Sequence, residues 1–350
     1  MSKPSTAILD AVGASLLTRH EQWWQRKGLL VASPHVLQLG RLWLPLTDGS
    51  IADEDVDLTP EMVDIDRIVG DDLGPGPIDT VGDQFQHSDP YTPIPWVEAI
   101  LGVPVRTTIQ GGSMRARAHI HSWEDWDFDA PHFDQAWFDL LMALVDLLAE
   151  RRGGRHAITQ TLMRGPTDLA EAVLGPELMC LSIYDHPREL RRFLEAVTDL
   201  FIDVLHAQLM RIPLVNGGYV NPFGIWSPGT VVRNQCDATA FLSPAHYKEW
   251  FLPNDMRIWQ SVDYSIQHIH SKSLHTLEVL LGQELPHAIQ VTLDLQPAGP
   301  PLQEILPALQ RIQAVKPLIL AGWMSQDELR LVYDELPADG LSLTIRSESY

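Results

Sequence analysis

Strand-like and helical segments alternate through the last two thirds of the chain, and this alternation most constrains the fold. Eight runs typical of β-strands follow Gly102, namely Val105–Gln110, His156–Leu162, Leu214–Val220, Val231–Asp237, Ser265–His270, Ala288–Leu295, Pro317–Gly322 and Leu341–Arg346. Amphipathic stretches typical of helices lie between most of them. The pattern predicts an α/β fold, specifically a single (β/α)8 barrel of the TIM type. A doubly wound open sheet is not expected, because no G-x-G-x-x-G follows an early strand.

The first third of the chain differs in composition from the remainder. Residues 6–27 place apolar side chains at helical spacing, whereas Asp, Pro and Gly are frequent from Pro34 to Pro95. We therefore predict two parts: an N-terminal helical and irregular extension, or lid, over residues 1–102, and the barrel over residues 103–350. We also expect the N-terminal helix to stand in for the final barrel helix, since no helical segment follows the eighth run.

Charge and cysteine content exclude several classes of protein. The 350 residues carry a formal net charge of -21, which argues against a nucleic-acid partner because phosphate binding needs clustered Lys and Arg. The two cysteines, Cys180 and Cys236, cannot build a disulfide framework and fit a reducing compartment. No secretory leader is visible, and the longest apolar stretch, Leu140–Ala149, is too short to span a bilayer. We expect a cytoplasmic protein without a membrane partner.

Two histidines, His268 and His270, end the fifth strand-like run. Residues two apart on a strand face the same way, so the two imidazoles are suited to bind a metal together or to carry protons. The same spacing also occurs where two histidines are hydrogen-bonded in a core or exposed at a strand end. The pair alone leaves these interpretations open.

Polar residues follow most of the other strand-like runs as well. The residues at these ends are Gln110, Ser113, Arg164, Tyr219, Asn221, Asn234, Asp237, His268, His270, Asp294, Trp323, Arg346 and Glu348. In a TIM barrel such ends form the active site, so the set predicts a small-molecule site. Asp237, Tyr219, Arg164 and Arg346 are the candidate catalytic residues. Individually, Asp237 or Asp294 could cap a helix, and Arg346 could pair with the acidic surface.

Longer segments are similar to one known superfamily. They are Arg19–Trp24, Pro93–Gly102, Arg164–Asp168, Gly217–Tyr219, Trp226–Gly229, Gln235–Asp237, Leu242–Tyr247 with Pro253, His268–Ser271 and His275–Leu277. With these segments, the chain resembles the uroporphyrinogen decarboxylase superfamily, in its bacterial branch related to cobalamin-linked methyltransferases. The resemblance covers most of the chain in the expected order. It implies the barrel fold but does not specify the reaction.

Three departures argue against the haem-pathway decarboxylation. The arginine-rich segment that binds substrate carboxylates in those enzymes has no match at Gln25–Gly28. Their aspartate-containing segment is replaced by Tyr91–Trp96, and their late G-H-G would fall where this chain reads Arg346–Tyr350. We therefore expect no conversion of uroporphyrinogen.

The methyltransferase relatives bind zinc through an H-x-C pair and a late cysteine. This chain keeps His268, has His270 in place of the first cysteine and lacks the late one. The resemblance thus implies a divalent metal, zinc or iron, with Asp294 or Glu348 completing the ligand set and Cys236 as a less favoured ligand. Imidazole in place of thiolate makes the metal more Lewis acidic, which suits water or a hydroxyl group.

Three functions remain in competition. The first is metal-dependent methyl transfer or demethylation of a small methylated substrate, with a corrinoid protein as a possible partner. The second is a metal-free decarboxylase or lyase in which Arg164 or Arg346 holds a substrate carboxylate while His268 and Asp237 transfer protons. The third is a binding barrel without catalysis. We favour the first, and metal content distinguishes it from the others.

Overall fold

The structure is a computed structural model that describes residues 5–6, 13–34, 43–70, 80–108, 114–130 and 132–346. Three residues of the predicted site, Gln110, Ser113 and Glu348, lie outside the described residues, as does the side chain of Arg346. The strands are β1 (Ser5–Thr6), β2 (Leu29–Pro34), β3 (Asp57–Leu58), β4 (Thr80–Gly82), β5 (His87–Ser88), β6 (Val105–Arg106), β7 (Arg115–Ala116), β8 (Ala157–Ile158), β9 (Met163–Arg164), β10 (Leu214–Val215), β11 (Tyr219–Val220), β12 (Trp226–Ser227), β13 (Val231–Gln235), β14 (Tyr264–His270), β15 (Ala288–Thr292), β16 (Leu318–Trp323) and β17 (Leu341–Arg346).

The largest sheet has eight strands in the order β4-β2-β17-β16-β15-β14-β13-β9. Seven of them run parallel, and β4 at one edge is antiparallel to β2. Strands β13 to β17 are consecutive in sequence and adjacent in space, and helical segments connect them. This arrangement confirms the predicted α/β class and the last five strand-like runs.

Closure of the sheet into a barrel remains a prediction. In the described part of the chain no ladder joins the edge strands β4 and β9. β5, the strand that follows β4 in sequence, pairs in parallel with β8, the strand that precedes β9. These two strands form a separate sheet. The hydrogen-bonded sheet is therefore open as described.

Three of the predicted barrel strands lie outside the main sheet. His156–Leu162 contains β8, which pairs with β5. Val105–Gln110 was expected to be the first, but β6 pairs antiparallel with β3 and β7 in a small three-stranded sheet. Leu214–Val220 divides into β10 and β11, which belong to two small two-stranded sheets. An apolar run predicts a strand, but which strand it pairs with depends on the packing of distant segments. The assignment of Val105–Gln110 and Leu214–Val220 to the barrel sheet was therefore wrong, although strands form in them.

A strand from the first third takes a place in the main sheet. Leu29–Pro34 is not among the predicted strands, yet as β2 it pairs in parallel with β17. The run is apolar and lies between Gly28 and Pro34, which is the pattern of a short buried strand. The preceding helical segment ends at Arg26, whose φ of +59° is left-handed, and Gly28, with a φ of +75°, leads the chain into β2.

The helices largely match the predicted amphipathic stretches. They are α1 (Gly13–Trp24), α2 (Ile65–Val69), α3 (Trp96–Ile100), α4 (Gln135–Arg152), α5 (Pro166–Asp185), α6 (Pro187–Leu209), α7 (Pro244–His246), α8 (Leu252–Gln260), α9 (Leu277–Leu281), α10 (Leu302–Val315) and α11 (Gln326–Glu335). A π-helical turn, Tyr247–Phe251, joins α7 to α8. None of the helices in the described residues is long and apolar enough to cross a membrane.

One hydrophobic core includes residues of both predicted parts. Trp23, Leu30 and Trp96 from the first third are fully buried in the same cluster as Val232 and Ile289 from the main sheet. Burying a large apolar side chain contributes about 1.5–3 kcal/mol. The same core therefore stabilises the first third and the remainder of the chain. The domain boundary at residue 102 stays a prediction.

Candidate metal centre

Two adjacent parallel strands bring three possible ligands together. Gln235, the last residue of β13, pairs in register with His268 of β14. His270 lies two residues further along β14 and so faces the same way as His268, and Asp237 begins the short 3-10 helix that follows β13. Oδ1 of Asp237 is 3.8 Å from Nε2 of His268 and 3.8 Å from Nε2 of His270. One ligand atom from each of the three residues lies within 4.8 Å of the others.

The other nitrogen of each imidazole is held by an acceptor. Nδ1 of His268 contacts Oε1 of Gln290, which lies opposite it on β15. Nδ1 of His270 lies 2.8 Å from Oδ1 of Asp294. In a neutral ring, an acceptor at Nδ1 places the proton there and leaves the lone pair on Nε2. Both lone pairs then face the space beside Asp237, and metal-binding histidines are typically held in this way.

Electrostatics favour a neutral His268. Burial, followed by the charge of Arg233 and the neighbouring His270, keeps the pKa of His268 well below its usual value. A neutral imidazole is the form that binds a metal. Burial alone would raise the pKa of Asp294, but hydrogen bonds from the Lys272 amide and from His270 lower it overall, so this carboxylate remains charged behind the His270 ring.

The donor set fits a catalytic zinc or iron(II) site. Two imidazole nitrogens and one carboxylate oxygen are a ligand combination known for both metals, with positions left open for substrate. Exposure increases across the cluster: His268 is buried, whereas the side chains of His270 and Asp237 are 25% and 42% exposed. One side of the centre is therefore accessible from solvent.

A buried acid lies next to Asp237. The amide of Ala238 donates to Oδ1 of Asp168 at 2.7 Å, while Oδ2 of Asp168 has no hydrogen-bond partner. Burial and the nearby charge of Asp237 raise the pKa of Asp168 to about 8.

Arg164 is paired close to this acid. Its Nη1 donates to Oε1 of the buried Glu98 at 3.0 Å. Burial lowers the pKa of Arg164, but the carboxylates of Glu98, Asp168 and Asp237 outweigh that effect and raise it above its ordinary value. The guanidinium therefore already has a buried carboxylate partner.

A row of side chains continues inward along β13 from Asp237. The amide nitrogen of Gln235 donates to Oδ2 of Asp237, and Nη1 of Arg233 donates to Oε1 of Gln235 at 2.7 Å. Arg233 and Gln235 alternate along β13 and so share one face, and Asp237 is the first residue of the 3-10 helix that follows. This row orients the carboxylate of Asp237 toward the two histidines.

The predicted site residues are distributed between the cluster and its surroundings. Asp237, predicted as catalytic, lies with His268 and His270, whereas Asp294, predicted as a ligand, lies at the opposite nitrogen of the His270 ring. The hydroxyl of Tyr219 donates to the carbonyl of Leu209 at 3.0 Å and so fastens the β11–β12 hairpin to the end of α6. The backbone of Arg346 pairs with Trp323 at the end of β17.

Sequence reasoning missed three residues beside the cluster: Gln290, Arg233 and Asp168. Gln290 interrupts the mainly apolar strand Ala288–Thr292, and Arg233 is the first of three consecutive polar residues in the buried strand Val231–Gln235. A polar side chain in a buried strand is a usable signal. Asp168 gives no such signal, because an acidic residue in the first turn of a helix is ordinary.

A cleft of about 1190 Å³ borders the centre at Asp294. Its walls are mainly apolar and come from the segments that follow β15, β16 and β17, including Leu293, Leu295, Trp323 and Met324. Trp323 and Leu295 are exposed there. The cleft is large enough for a small substrate, and Asp294 lines it whereas Asp237, His268 and His270 do not.

Comparisons with known proteins extend only to the fold. No family model matches the chain, and no curated protein is significantly similar to it. Among solved structures, a methyltransferase from Methanosarcina mazei is similar, with a TM-score of 0.54 and 14% sequence identity. The match covers 75% of this chain and 74% of the methyltransferase chain. At this identity the similarity shows a methyltransferase-type fold, and the link to the uroporphyrinogen decarboxylase superfamily stays a resemblance.

Proposed function

We propose that this protein is an enzyme of metal-dependent methyl transfer or demethylation acting on a small methylated substrate. The observation that carries the proposal is that both Nε2 atoms of the histidine pair face one oxygen of Asp237, while both Nδ1 atoms are held by acceptors. The fold similarity to a methyltransferase supports the methyl-transfer part. In this proposal Asp237 is the third ligand in place of Asp294 or Glu348.

The residues of the chain have distinct roles in this proposal. A divalent metal bound there would supply Lewis acidity, lowering the pKa of a coordinated water, hydroxyl or thiol group. Gln290 and Asp294 orient the two rings, and Gln235 orients the carboxylate. The methyl group passes to the acceptor as the acceptor gives up its proton, and the donor atom leaves with the bonding electron pair.

The proposal extends to the partner and to the complete fold. A corrinoid protein is the proposed second component, and the cleft beside Asp294 is the proposed route by which its methyl-carrying group reaches the centre. The proposed architecture is a (β/α)8 barrel of the uroporphyrinogen decarboxylase superfamily. In it, the β5–β8 pair would fill the interval between the two edge strands.

The pairing of Arg164 bears on one residue of the metal-free alternative. There Arg164 or Arg346 would hold the substrate carboxylate, and Arg164 is already bonded to the buried Glu98. The remaining alternative is a binding barrel without catalysis. Measured turnover of a substrate would distinguish the proposed enzyme from it.

The first experiment is metal analysis of protein purified without a His-tag. We expect one zinc or iron ion per chain, and loss of that ion in the double variant His268→Ala/His270→Ala and in Asp237→Asn. The matched control is His206→Ala, because this exposed histidine on α6 bonds only the carbonyl of Ser261 among the described contacts. Full metal content in the double variant, or none in the wild type, would contradict the proposal.

The second experiment tests methyl transfer directly. Metal-loaded protein is mixed with methylcobalamin and 2-mercaptoethanol, and cleavage of the methyl–cobalt bond is followed by absorbance. We expect a protein-dependent rate that disappears in the double histidine variant and persists in His206→Ala. A rate that does not depend on the two histidines would assign the reaction to another part of the molecule.

A further inference from the structure

Arg233 is a buried cation whose surroundings do not neutralise it. It is 5% exposed, and in the described part of the chain no carboxylate lies within ion-pair distance of its guanidinium. Its neighbours are neutral: Nη1 donates to the amide oxygen of Gln235, and the guanidinium lies 5.6 Å from the centre of the Phe223 ring. The buried Arg164, by contrast, bonds directly to Glu98.

Such an arrangement is costly unless it serves a ligand. A buried charge is normally paired, because removing it from water is expensive. Burial lowers the pKa of Arg233 to about 10, and the more distant Asp237 and Asp168 offset only part of that effect. Ionisable groups with strongly shifted pKa values are concentrated at functional sites.

The charges around the centre indicate the sign of the missing partner. Arg164 cancels Glu98, and Lys272, whose Nζ is 3.7 Å from Oδ1, cancels Asp294. The remaining groups are one cation, Arg233, and at most two carboxylates, Asp237 and Asp168, so a divalent ion would leave at least one positive charge uncompensated. An anionic ligand complements that excess.

The position of Arg233 sets the size of the ligand. Its guanidinium reaches the side chain of Gln235, which is in register with His268. His270 lies two residues beyond His268 on β14, a distance of roughly 7 Å, and Asp237 begins the 3-10 helix just after β13. A ligand that touches both the guanidinium and the centre is therefore short.

We infer that the substrate is a small carboxylic acid whose carboxylate binds Arg233 and whose reacting end lies at His268, His270 and Asp237. The inference rests on the proposed function for the reacting end. The planar guanidinium matches a carboxylate in shape and charge through paired hydrogen bonds. Arg233 is thus assigned a role that the sequence analysis gave to Arg164 or Arg346.

The test compares two probes that differ only in the anionic group. Binding of 4-hydroxybutyrate and of the uncharged 1,4-butanediol to zinc-loaded protein is measured by calorimetry, with inorganic phosphate as a third probe. We expect the wild type to prefer 4-hydroxybutyrate over the diol at least tenfold and to bind phosphate more weakly. The variant Arg233→Gln should lose the preference while keeping its zinc affinity within threefold.

Controls keep the outcome decisive. Arg191→Gln, which alters an exposed arginine on α6, should behave as the wild type. If Arg233→Gln fails to fold, Arg233→Lys keeps the charge without the planar fork and should show a reduced preference. A preference that survives in Arg233→Gln, equal binding of the diol, or tighter binding of phosphate would each overturn the inference.

The two proposals fail in different ways. Absence of zinc binding contradicts the proposed function, and the probes are then measured on metal-free protein. A preference for the carboxylate that depends on Arg233 would still support the anion site there. Normal zinc binding without any such preference would contradict only the carboxylate inference.

Discussion

Replacing Asp294 by asparagine should weaken metal binding without touching a ligand. The carboxylate of Asp294 is 10% exposed and accepts hydrogen bonds on both oxygens: Oδ1 faces Nδ1 of His270 at 2.8 Å, and Oδ2 accepts from Ser271 Oγ at 3.0 Å and from the Lys272 amide at 3.1 Å. Asparagine has one acceptor oxygen and one amino group in the same space. One of these two sides must therefore lose its acceptor.

Either orientation of the new amide is unfavourable. If its amino group faces His270, it donates to Nδ1 and shifts the ring proton to Nε2, which removes the lone pair beside Asp237. If the amino group faces the Lys272 amide, two donors oppose each other and the loop after β14 loses an anchor. Partners of ligating histidines typically affect metal affinity 10- to 100-fold. We expect a loss of that size, about 1.4–2.7 kcal/mol.

The assay is competition for Zn²⁺ with a chromophoric chelator, supported by the visible spectrum of the Co²⁺-loaded protein. The matched control is Asp327→Asn, an exposed carboxylate on α11 that bonds Arg330. Its affinity should equal that of the wild type. Zinc affinity of Asp294→Asn within twofold of the wild type, with unchanged thermal stability, would refute the assigned role of Asp294.

Two further predictions concern stability. Burial raises the pKa of Asp255 from 3.8 to about 7, so between these values the folded chain holds a proton that the unfolded chain has lost. Its contribution to stability therefore falls as pH rises from about 4 to about 7, by up to about 4 kcal/mol. Asp255→Asn should remove that part of the pH dependence in urea unfolding, and an unchanged pH profile would contradict the argument. Phe201→Ala should destabilise the fold by about 3–5 kcal/mol because Phe201 is fully buried, whereas the half-exposed Leu181→Ala should cost under about 0.5 kcal/mol in the same denaturation assay.

Local periodicity in the sequence was enough for much of the regular structure. The runs from Val231 to Arg346 became β13 to β17 because each is short and rich in apolar residues, and all but the last are followed by a helical segment. The spacing of His268 and His270 likewise placed both rings on one face, since side-chain direction on a strand depends only on the position along it. These features depend on residues a few positions apart.

Contacts between distant segments required the tertiary structure. Leu29–Pro34 pairs with Leu341–Arg346, although some three hundred residues separate them in sequence. A local sequence pattern cannot predict which distant strand a segment will pair with. The register of β13 against β14 places Asp237 in front of the imidazoles, and that of β14 against β15 places Gln290 behind His268. The sequence by itself determined which side chains could serve as ligands. The packing of the strands decided which of them meet, because register between strands depends on the core as a whole.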